Sequence, residues 1–214
     1  MPIVMLNDDI YALPNPLFGE DGLVAVGGDL HPERLIYAYK NGIFPWYGQK
    51  GPILWHAPDP RFVITKDRFH LPKSAREFIA KSQWTVRVNT SFDTVIQQCA
   101  SIPRKGQEGT WIHPEMIEAY CQLHTMGYAK SIEVWEKDDL IGGLYGVAMD
   151  PIFFGESMFH LKSGASKVAL HHLCTQMDFE LIDVQIPTTL MENFGAYPIQ
   201  LAEFLDILQM HLHK

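Results

Sequence analysis

The fold of this chain is decided by the stretch FFGESMFHLKSGASK, residues 153–167. Its pattern predicts an aromatic strand, a polar loop and then the start of a helix. One carboxylate, Glu156, stands inside the apolar run. Because an unpaired buried charge is strongly destabilising, Glu156 must belong to a structural network or take part in chemistry, unless it faces solvent on an edge strand.

The sequence on either side of this stretch predicts a mixed sheet. Three strands in a meander, a helix and a returning strand favour an α/β (α+β) fold with helices packed on the sheet. These five elements are predicted over Ser131–Glu136, Leu140–Met149, Ile152–Phe159, Ala165–Met177 and Phe179–Ile186. The second strand contains Gly142, Gly143 and Gly146, which predict a bulge or a close backbone approach.

Two of these strands are expected to be parallel, and the site is expected at their carboxyl ends. In open sheets, ligands bind beyond the carboxyl ends of parallel strands. The loop 160–165 and the strand end Asp183–Gln185 should therefore lie together. Asp183, Gln185 and Glu156 would then flank one helix.

The rest of the chain supplies further helices and a turn-rich start. Residues 1–60 are dense in prolines and aromatic side chains, which suits stiff apolar walls. Helix starts with the sequence His-Pro-Glu occur at His31 and His113. Additional helices are predicted over residues 32–41, 73–81, 92–99, 114–127 and 201–212, and additional strands over residues 62–64 and 84–88.

Composition favours a folded cytoplasmic protein. The 214 residues are 47% hydrophobic and 20% charged, which is enough apolar content for a core. No signal peptide pattern begins the chain, and no apolar run is long enough to span a membrane. Three cysteines, Cys99, Cys121 and Cys174, have no close spacing, so we expect reduced thiols.

Positive charge is concentrated in one segment. Residues 61–105, the basic segment, contain nine Lys and Arg against three acids, whereas the remainder has eight against 22. The net charge of −8 argues against a non-specific nucleic-acid coat, but this segment suits local contact with phosphates. A solvated charged face is the alternative interpretation.

Several enzyme classes are excluded by missing motifs. The sequence has no P-loop, no dinucleotide fingerprint and no Gly-x-Ser-x-Gly elbow. The pairs His171/His172 and His211/His213 lack the i,i+4 spacing that would place two metal ligands on one helix face. We therefore expect no metal and no cofactor.

Seven short motifs point to a family. In chain order they are GGDL (27–30), GIFPWY (42–47), WHAPDPR (55–61), GTWI (109–112), GGLYGV (142–147), GESMF (155–159) and LIDVQ (181–185). They resemble, in the same order and over nearly the whole chain, the motifs of the leucyl/phenylalanyl-tRNA–protein transferase family. The resemblance implies a small N-terminal domain, residues 1–60, and a C-terminal acetyltransferase-like (GNAT) domain, residues 61–214.

The resemblance also implies a reaction. A cytoplasmic bacterial enzyme would transfer Leu or Phe from aminoacyl-tRNA to an N-terminal Arg or Lys of a protein, marking it for N-end-rule degradation. Gln185 would contact the attacking amine and Asp183 would orient Gln185, while Glu156 would hold the cationic acceptor. Asp183 or a ribose hydroxyl of the tRNA would relay the proton. Replacing Asp183 with Ala is expected to abolish transfer and leave the fold intact.

Substrate-binding residues follow from the same resemblance. The aromatics around the terminal adenosine would be Tyr39, Trp46, Trp111 and Tyr120. The apolar cup for the Leu or Phe side chain would be Leu144, Phe153, Met158, Leu170, Leu173 and Ile182, with Met177 deeper. The cations facing acceptor-stem phosphates would be Lys73, Arg76 and Lys81.

Two other functions compete with this interpretation. A coenzyme A-dependent acetyltransferase of the same fold would need a Gly-rich pyrophosphate loop, which residues 160–165 lack. A non-catalytic tRNA-binding module would need only the basic segment and the aromatics, whereas Asp183 and Gln185 favour the enzyme. His160 departs from the Ser common in the family at that position. We expect no membrane contact and a monomer.

Overall fold

The computed structural model describes residues 3–48, 51–102 and 110–213, so the predicted polar loop 103–109 lies outside the described residues. Its strands are β1 (Val4–Leu6), β2 (Leu23–Gly27), β3 (Phe44–Pro45), β4 (Leu54–His56), β5 (Arg61–Thr65), β6 (Thr85–Val88), β7 (Ala129–Glu136), β8 (Asp139–Met149), β9 (Ile152–His160), β10 (Leu181–Gln185) and β11 (Tyr197–Ile199). Its helices are α1 (Pro32–Lys40), α2 (Lys73–Lys81), α3 (Phe92–Ser101), α4 (Pro114–Thr125), α5 (Ala165–Gln176), α6 (Thr189–Asn193) and α7 (Leu201–Leu212).

The strands form a small and a large sheet. The small sheet has the order β1-β2-β4-β3, and the large sheet has the order β11-β5-β10-β9-β8-β7-β6. In the large sheet β9 and β10 are parallel and the other pairs are antiparallel. The mixed α/β class and the β-β-β-α-β order predicted for an acetyltransferase-like domain are therefore confirmed.

The division of the chain at residue 60 stays a prediction. The large sheet begins with β5 at Arg61, yet one hydrophobic cluster contains Leu35 and Trp55 from the first part together with Phe154 and Phe204 from the second. The small sheet therefore packs onto the core of the large one. Each helix among the described residues is too short or too polar to traverse a lipid bilayer.

Most helix ends lie within a few residues of the predicted ones, because their start signals are local. His31 accepts a hydrogen bond from the Glu33 N–H at 3.3 Å, so an unusual residue caps α1. The five-residue helix α6 and the three-residue strand β11 were not predicted. Elements of that length carry too little periodicity to be recognised.

The glycines of β8 allow two strands to approach closely, as predicted. A register shift lies between Tyr145 and Gly146 opposite β9. A Cβ atom on Gly146 would stand 2.2 Å from the Phe154 carbonyl oxygen and 2.6 Å from the Phe153 ring. The middle of the sheet therefore requires glycine at this position.

The parallel strands β9 and β10 separate before either one ends. Their last paired residues are Phe154 and Asp183, while β9 continues along β8 until His160 opposite Gly142. The expectation that the loop 160–165 lies beside the end of β10 is wrong, because β9 continues past the point where the pairing stops. Glu156 and Gln185 lie at this fork instead.

A buried acid fixes the start of α3 against the sheet. Glu133 on β7 is fully buried and accepts hydrogen bonds from the backbone N–H groups of Thr90 at 2.9 Å and Ser91 at 3.0 Å. The Ser131 hydroxyl donates to it at 2.7 Å, and the Thr90 hydroxyl donates as well. The carboxylate therefore satisfies donors at the N-terminus of a helix that has no side-chain cap.

We expect Glu133→Ala to destabilise the fold. The substitution leaves several buried donors without an acceptor, which should lower the free energy of unfolding by about 3 kcal/mol or more. Urea denaturation of wild type and variant measures this difference. Glu180→Ala, at an exposed acid, is the matched control and should change little. Equal losses in the two variants would contradict the role given to Glu133.

Candidate active site

A cavity of about 490 Å³ opens at the fork between β9 and β10. Its walls come from the end of β10, the middle of β9, helix α5, the β3 region and the segment that follows β10. All six residues expected in the apolar cup line it: Leu144, Phe153, Met158, Leu170, Leu173 and Ile182. Five of them are buried and Met158 is half-buried, which makes the inner end of the cavity apolar. Met177 packs against the same hydrophobic cluster but does not line the cavity.

Two of the four expected aromatics also line the cavity. Trp46 is 40% exposed and Trp111 is half-buried. The ring of Trp46 meets the His56 ring edge-on at 5.7 Å. Both indoles are therefore accessible to a planar ligand.

Tyr39 and Tyr120 are placed differently from the expectation. Both rings are fully buried and neither lines the cavity, so no base can stack on them in this structure. Their hydroxyl groups instead donate hydrogen bonds to Glu156, from Tyr39 at 2.7 Å and from Tyr120 at 3.2 Å. The aromatic character of these positions suggested stacking, whereas the phenol oxygens are what the site uses.

Glu156 is the centre of a hydrogen-bond network at the fork. Besides the two phenols, the Gln185 side-chain amide donates to its Oε1 at 3.0 Å. Because Nε2 of Gln185 is the donor in this contact, its Oε1 remains to accept a hydrogen bond. Glu156 and Gln185 both line the cavity, so the carboxylate and the amide are presented to a ligand together.

Burial raises the pKa of Glu156 to about 7, although the hydrogen bonds from Tyr39, Tyr120 and Gln185 oppose the shift and the charge of Asp183 adds to it. Proton counting agrees with this direction. The two phenol oxygens also lie 2.5 Å from each other, so three contacts join Tyr39, Tyr120 and Glu156. Each of these contacts needs one proton to be a hydrogen bond. If the carboxylate is ionised, the two phenol protons can form only two of the three, and a proton on Glu156 forms the third. Burial likewise raises the pKa of each tyrosine.

Asp183 is held in a buried ion pair. Its carboxylate accepts from Arg61 Nε at 2.8 Å and from Arg61 Nη2 at 2.6 Å, and both side chains are fully buried. It also accepts the backbone N–H of Gln185 at 2.9 Å, so it does orient that residue, through the main chain. Asp183 does not line the cavity, and direct proton transfer from substrate to Asp183 therefore has no support.

The ion pair also changes the expectation for Asp183→Ala. Removing one partner of a buried pair leaves an uncompensated charge, here that of Arg61, at a cost of about 3–5 kcal/mol. We therefore revise the prediction that the fold of this variant stays intact, and expect Asp183→Ala to be destabilised. Loss of activity in Asp183→Ala would not by itself identify a chemical role.

The three expected phosphate-binding cations lie on α2, away from the cavity lining. Lys73, Arg76 and Lys81 are exposed, and Lys73 is 4.0 Å from Glu77 in an i,i+4 pair. Phe78 of this helix contacts Gly164, which precedes α5. Arg61 belongs to the basic segment in sequence, yet its charge is buried and contributes nothing to a basic surface.

Sequence reasoning missed two parts of the site. One is Arg61, although the sequence contains a signal for it. Arg61 is a cation at the start of an apolar strand, so it needs a buried partner for the same reason as Glu156 does. The other is the outer wall formed by the end of β10 and the segment after it, which has no distinctive motif: Val184, Ile186, Thr188, Leu190 and Met191. No group of three or more potential metal ligands is found among residues 3–48, 51–102 and 110–213.

We expect the stability of the fold to report the pKa of Glu156. A carboxyl whose pKa is raised from 4.5 to about 7 by folding stabilises the fold fully below pH 4.5, and the contribution is lost as pH rises through 7. The stability of wild type relative to Glu156→Gln should therefore fall by on the order of 1–3 kcal/mol between pH 5 and pH 8. Denaturation of both proteins at the two pH values measures it.

An exposed acid provides the control for this measurement. The stability of wild type relative to Glu180→Gln over the same range gives the pH dependence that comes from substituting an exposed acid. A Glu156→Gln difference with the same pH dependence would show that Glu156 does not titrate in this range.

Comparison with known proteins gives the chain its relatives. Residues 63–209 match the family described as leucyl/phenylalanyl-tRNA protein transferase, and residues 28–59 match the N-terminal domain of that family. The leucyl/phenylalanyl-tRNA–protein transferase of Myxococcus xanthus (strain DK1622) is 48% identical over 213 residues, which cover 97% of this chain and 91% of the relative. That of Lawsonia intracellularis (strain PHE/MN1-00) is 47% identical over 205 residues, which cover 94% and 90%.

Similarity to solved structures is weaker. A GCN5-related N-acetyltransferase from Kribbella flavida gives a TM-score of 0.39 at 9% identity, covering 76% of this chain and 59% of that one. The two family matches and the identity to relatives over almost the full chain are decisive. This chain belongs to the leucyl/phenylalanyl-tRNA–protein transferase family of aminoacyltransferases.

Proposed function

We propose that this chain transfers Leu or Phe from aminoacyl-tRNA to the N-terminal Arg or Lys of acceptor proteins, and so marks them for N-end-rule degradation. The observation that carries the proposal is the hydrogen-bonded pair of Glu156 and Gln185 at the mouth of an apolar cup. In this proposal an apolar aminoacyl side chain fills the cup. Glu156 and Gln185 then lie beside the two reacting groups, the ester carbonyl and the acceptor amine. Family membership supplies the aminoacyl-tRNA donor.

The reaction is aminolysis of an ester. The nitrogen of the acceptor α-amine bonds to the ester carbonyl carbon, and the bond from that carbon to the ribose oxygen breaks. One proton must leave the amine and one must reach the ribose oxygen. Glu156, whose pKa of about 7 is well above the usual range, is suited to take the first and return the second. Gln185 accepts a hydrogen bond from the amine through its Oε1.

The cup explains the choice of aminoacyl group in this proposal. Its inner wall is formed by Leu, Phe, Met and Ile side chains, so a charged or polar group entering it would be desolvated without a partner. Leu and Phe are apolar and unbranched at Cβ, and Met158 can adapt to either shape because its side chain is flexible. Branching at Cβ, as in Ile and Val, is excluded by shape, a discrimination of about 1–3 kcal/mol.

The acceptor is recognised by charge. Glu156 carries hydrogen bonds from two phenols and an amide, and no cation pairs with it among the described residues. A cationic N-terminal residue brings the missing charge, and this lowers the pKa of Glu156 toward ionisation. Trp46 and Trp111, which line the same cavity, would stack on the terminal adenosine.

The remaining features of the proposal concern the whole protein. We propose a cytoplasmic monomer with a small N-terminal domain, residues 1–60, and a catalytic domain, residues 61–214. The three cysteines form no disulfide, as reduced cytoplasmic proteins require. Sedimentation of the protein alone and with tRNA tests the monomer.

We expect α2 to give the reaction part of its salt dependence. Lys73, Arg76 and Lys81 are exposed on one short helix, where tRNA phosphates can reach them. Replacing all three with Gln should make the slope of log affinity against log salt shallower by roughly 2–3, because fewer counterions are released on binding. Binding of charged tRNA is measured from 50 to 300 mM salt. Lys137→Gln at the exposed β7–β8 turn is the control, and an unchanged slope in the triple variant would remove the role of α2.

We expect Gln185→Leu to abolish most of the transfer. Leu has a similar size but cannot accept a hydrogen bond from the amine, so kcat should fall by roughly 10²-fold or more. Phe-tRNA and an Arg-initiated peptide are the substrates, and formation of the extended peptide is followed by mass. Gln176→Leu on the exposed end of α5 should keep full activity. Absence of transfer by wild type, or full transfer by Gln185→Leu, would contradict the proposal.

A further inference from the structure

We propose that Arg61 is a positioning residue for the reaction, because its fork holds Asp183 and Asp183 sets the backbone turn that directs Gln185 to Glu156. The inference rests on the proposed function for its kinetic part. It gives a role to Arg61, which does not line the cavity. Arg61 lies in the basic segment of the sequence, but its side chain is buried and adds no charge to the surface. Arg61 acts through Asp183 and Gln185 and touches no reacting atom itself.

The guanidinium of Arg61 is fixed on every side. It donates two hydrogen bonds to the Asp183 carboxylate, at 2.8 and 2.6 Å, and a third to the Gly42 carbonyl at 3.2 Å. Its central carbon lies 4.8 Å from the centroids of both the Phe44 and the Phe204 rings. A planar group bonded at its edge and stacked on two rings has one orientation, which a lysine ammonium could not reproduce.

Asp183 passes this orientation to Gln185 through the main chain. Gln185 has a φ of 65°, in the left-handed region that non-glycine residues rarely adopt. Its N–H is held by Asp183 Oδ1 at 2.9 Å, at a register shift between Asp183 and Gln185 in the pairing with β5. The strained conformation therefore persists because an aspartate that cannot move accepts that N–H.

The left-handed turn decides where the Gln185 side chain points. In continuous β structure, side chains alternate between the faces of the sheet, and the turn interrupts this alternation at the fork. The Gln185 amide then reaches Glu156 at 3.0 Å. A loosened Asp183 would let Gln185 relax toward extended backbone, and the amide would lose its position relative to Glu156.

The decisive experiment compares Arg61→Lys with Arg34→Lys. Both arginines are fully buried, and each pairs with an aspartate, but Arg34 holds Asp29 and the carbonyls of Asn7 and Asp9 far along the chain from the fork. The kcat and KM for Phe-tRNA transfer to an Arg-initiated peptide, the thermal midpoint, and the backbone amide signal of Gln185 in nitrogen–proton NMR spectra are measured for both.

We expect the two variants to lose stability alike and to differ in the site. Arg61→Lys should lower kcat by roughly ten- to a hundredfold with KM for the tRNA little changed, and should shift the Gln185 amide signal. Arg34→Lys should leave kcat and that signal as in wild type. An unshifted Gln185 signal in folded Arg61→Lys, or a kcat loss no greater than in Arg34→Lys, would overturn the inference.

A milder variant covers the case in which Arg61→Lys does not fold. Phe204→Leu keeps the ion pair and removes one of the two rings that hold the guanidinium, so kcat should fall in the same direction by a smaller factor and the Gln185 signal should move. Unchanged kcat and signal in Phe204→Leu would then count against the inference. The amide signal does not depend on turnover, so it tests the link from Arg61 to Gln185 even if wild type transfers nothing, a result that would overturn the proposed function instead.

Discussion

The site depends on the ion pair between Arg61 and Asp183, which lies under the fork of β9 and β10. Asp183 is the last residue of β10 that pairs with β9, and Arg61 opens β5 on the other side of β10. The pair thus joins two strands of the large sheet at the level where the parallel pairing ends. Through Gly42 and Phe44 the same guanidinium reaches the first part of the chain, which supplies Trp46 to the cavity wall. One buried cation therefore ties the core of the sheet to the opening of the site.

Among the residues that the structure describes, Glu133 and Asp183 are fully buried and Glu156 is half-buried at the cavity, and the three carboxylates have different kinds of partner. Glu133 accepts from backbone N–H and hydroxyl groups at the start of α3. Asp183 has a full countercharge in Arg61. Glu156 accepts from two phenols and an amide, without a cationic partner in the described part of the chain, and burial raises its pKa to about 7. Of the three, Glu156 faces the cavity, and its raised pKa lets it change protonation near neutral pH there.

Much of this arrangement could be predicted from the sequence, and what could not has a physical cause. The β-β-β-α-β order follows from period and turn signals, and the glycines of β8 marked the close approach at Gly146. The apolar cup was predicted because the resemblance named its residues. The functions of Tyr39 and Tyr120 were not, since a sequence shows an aromatic residue but not whether its ring or its hydroxyl group is used. The position of the loop 160–165 failed because the end of a strand and the end of its pairing with a neighbour are different events.

No cation pairs with Glu156 within residues 3–48, 51–102 and 110–213, and this suits the cationic acceptor that we propose. A resident cation beside it would keep the carboxylate ionised and would occupy the place of a cationic acceptor. Phenols and an amide instead stabilise both protonation states, since each can hold the oxygens of a carboxylate or a carboxylic acid. The charge that Glu156 lacks then arrives with the acceptor, so ionisation of Glu156 and binding of a cation favour each other. In the proposed reaction this coupling selects an N-terminal Arg or Lys at the position where the amine must lose its proton. Arg61 contributes to this arrangement indirectly. It pairs with Asp183, so the acceptor's positive charge is left to pair with Glu156.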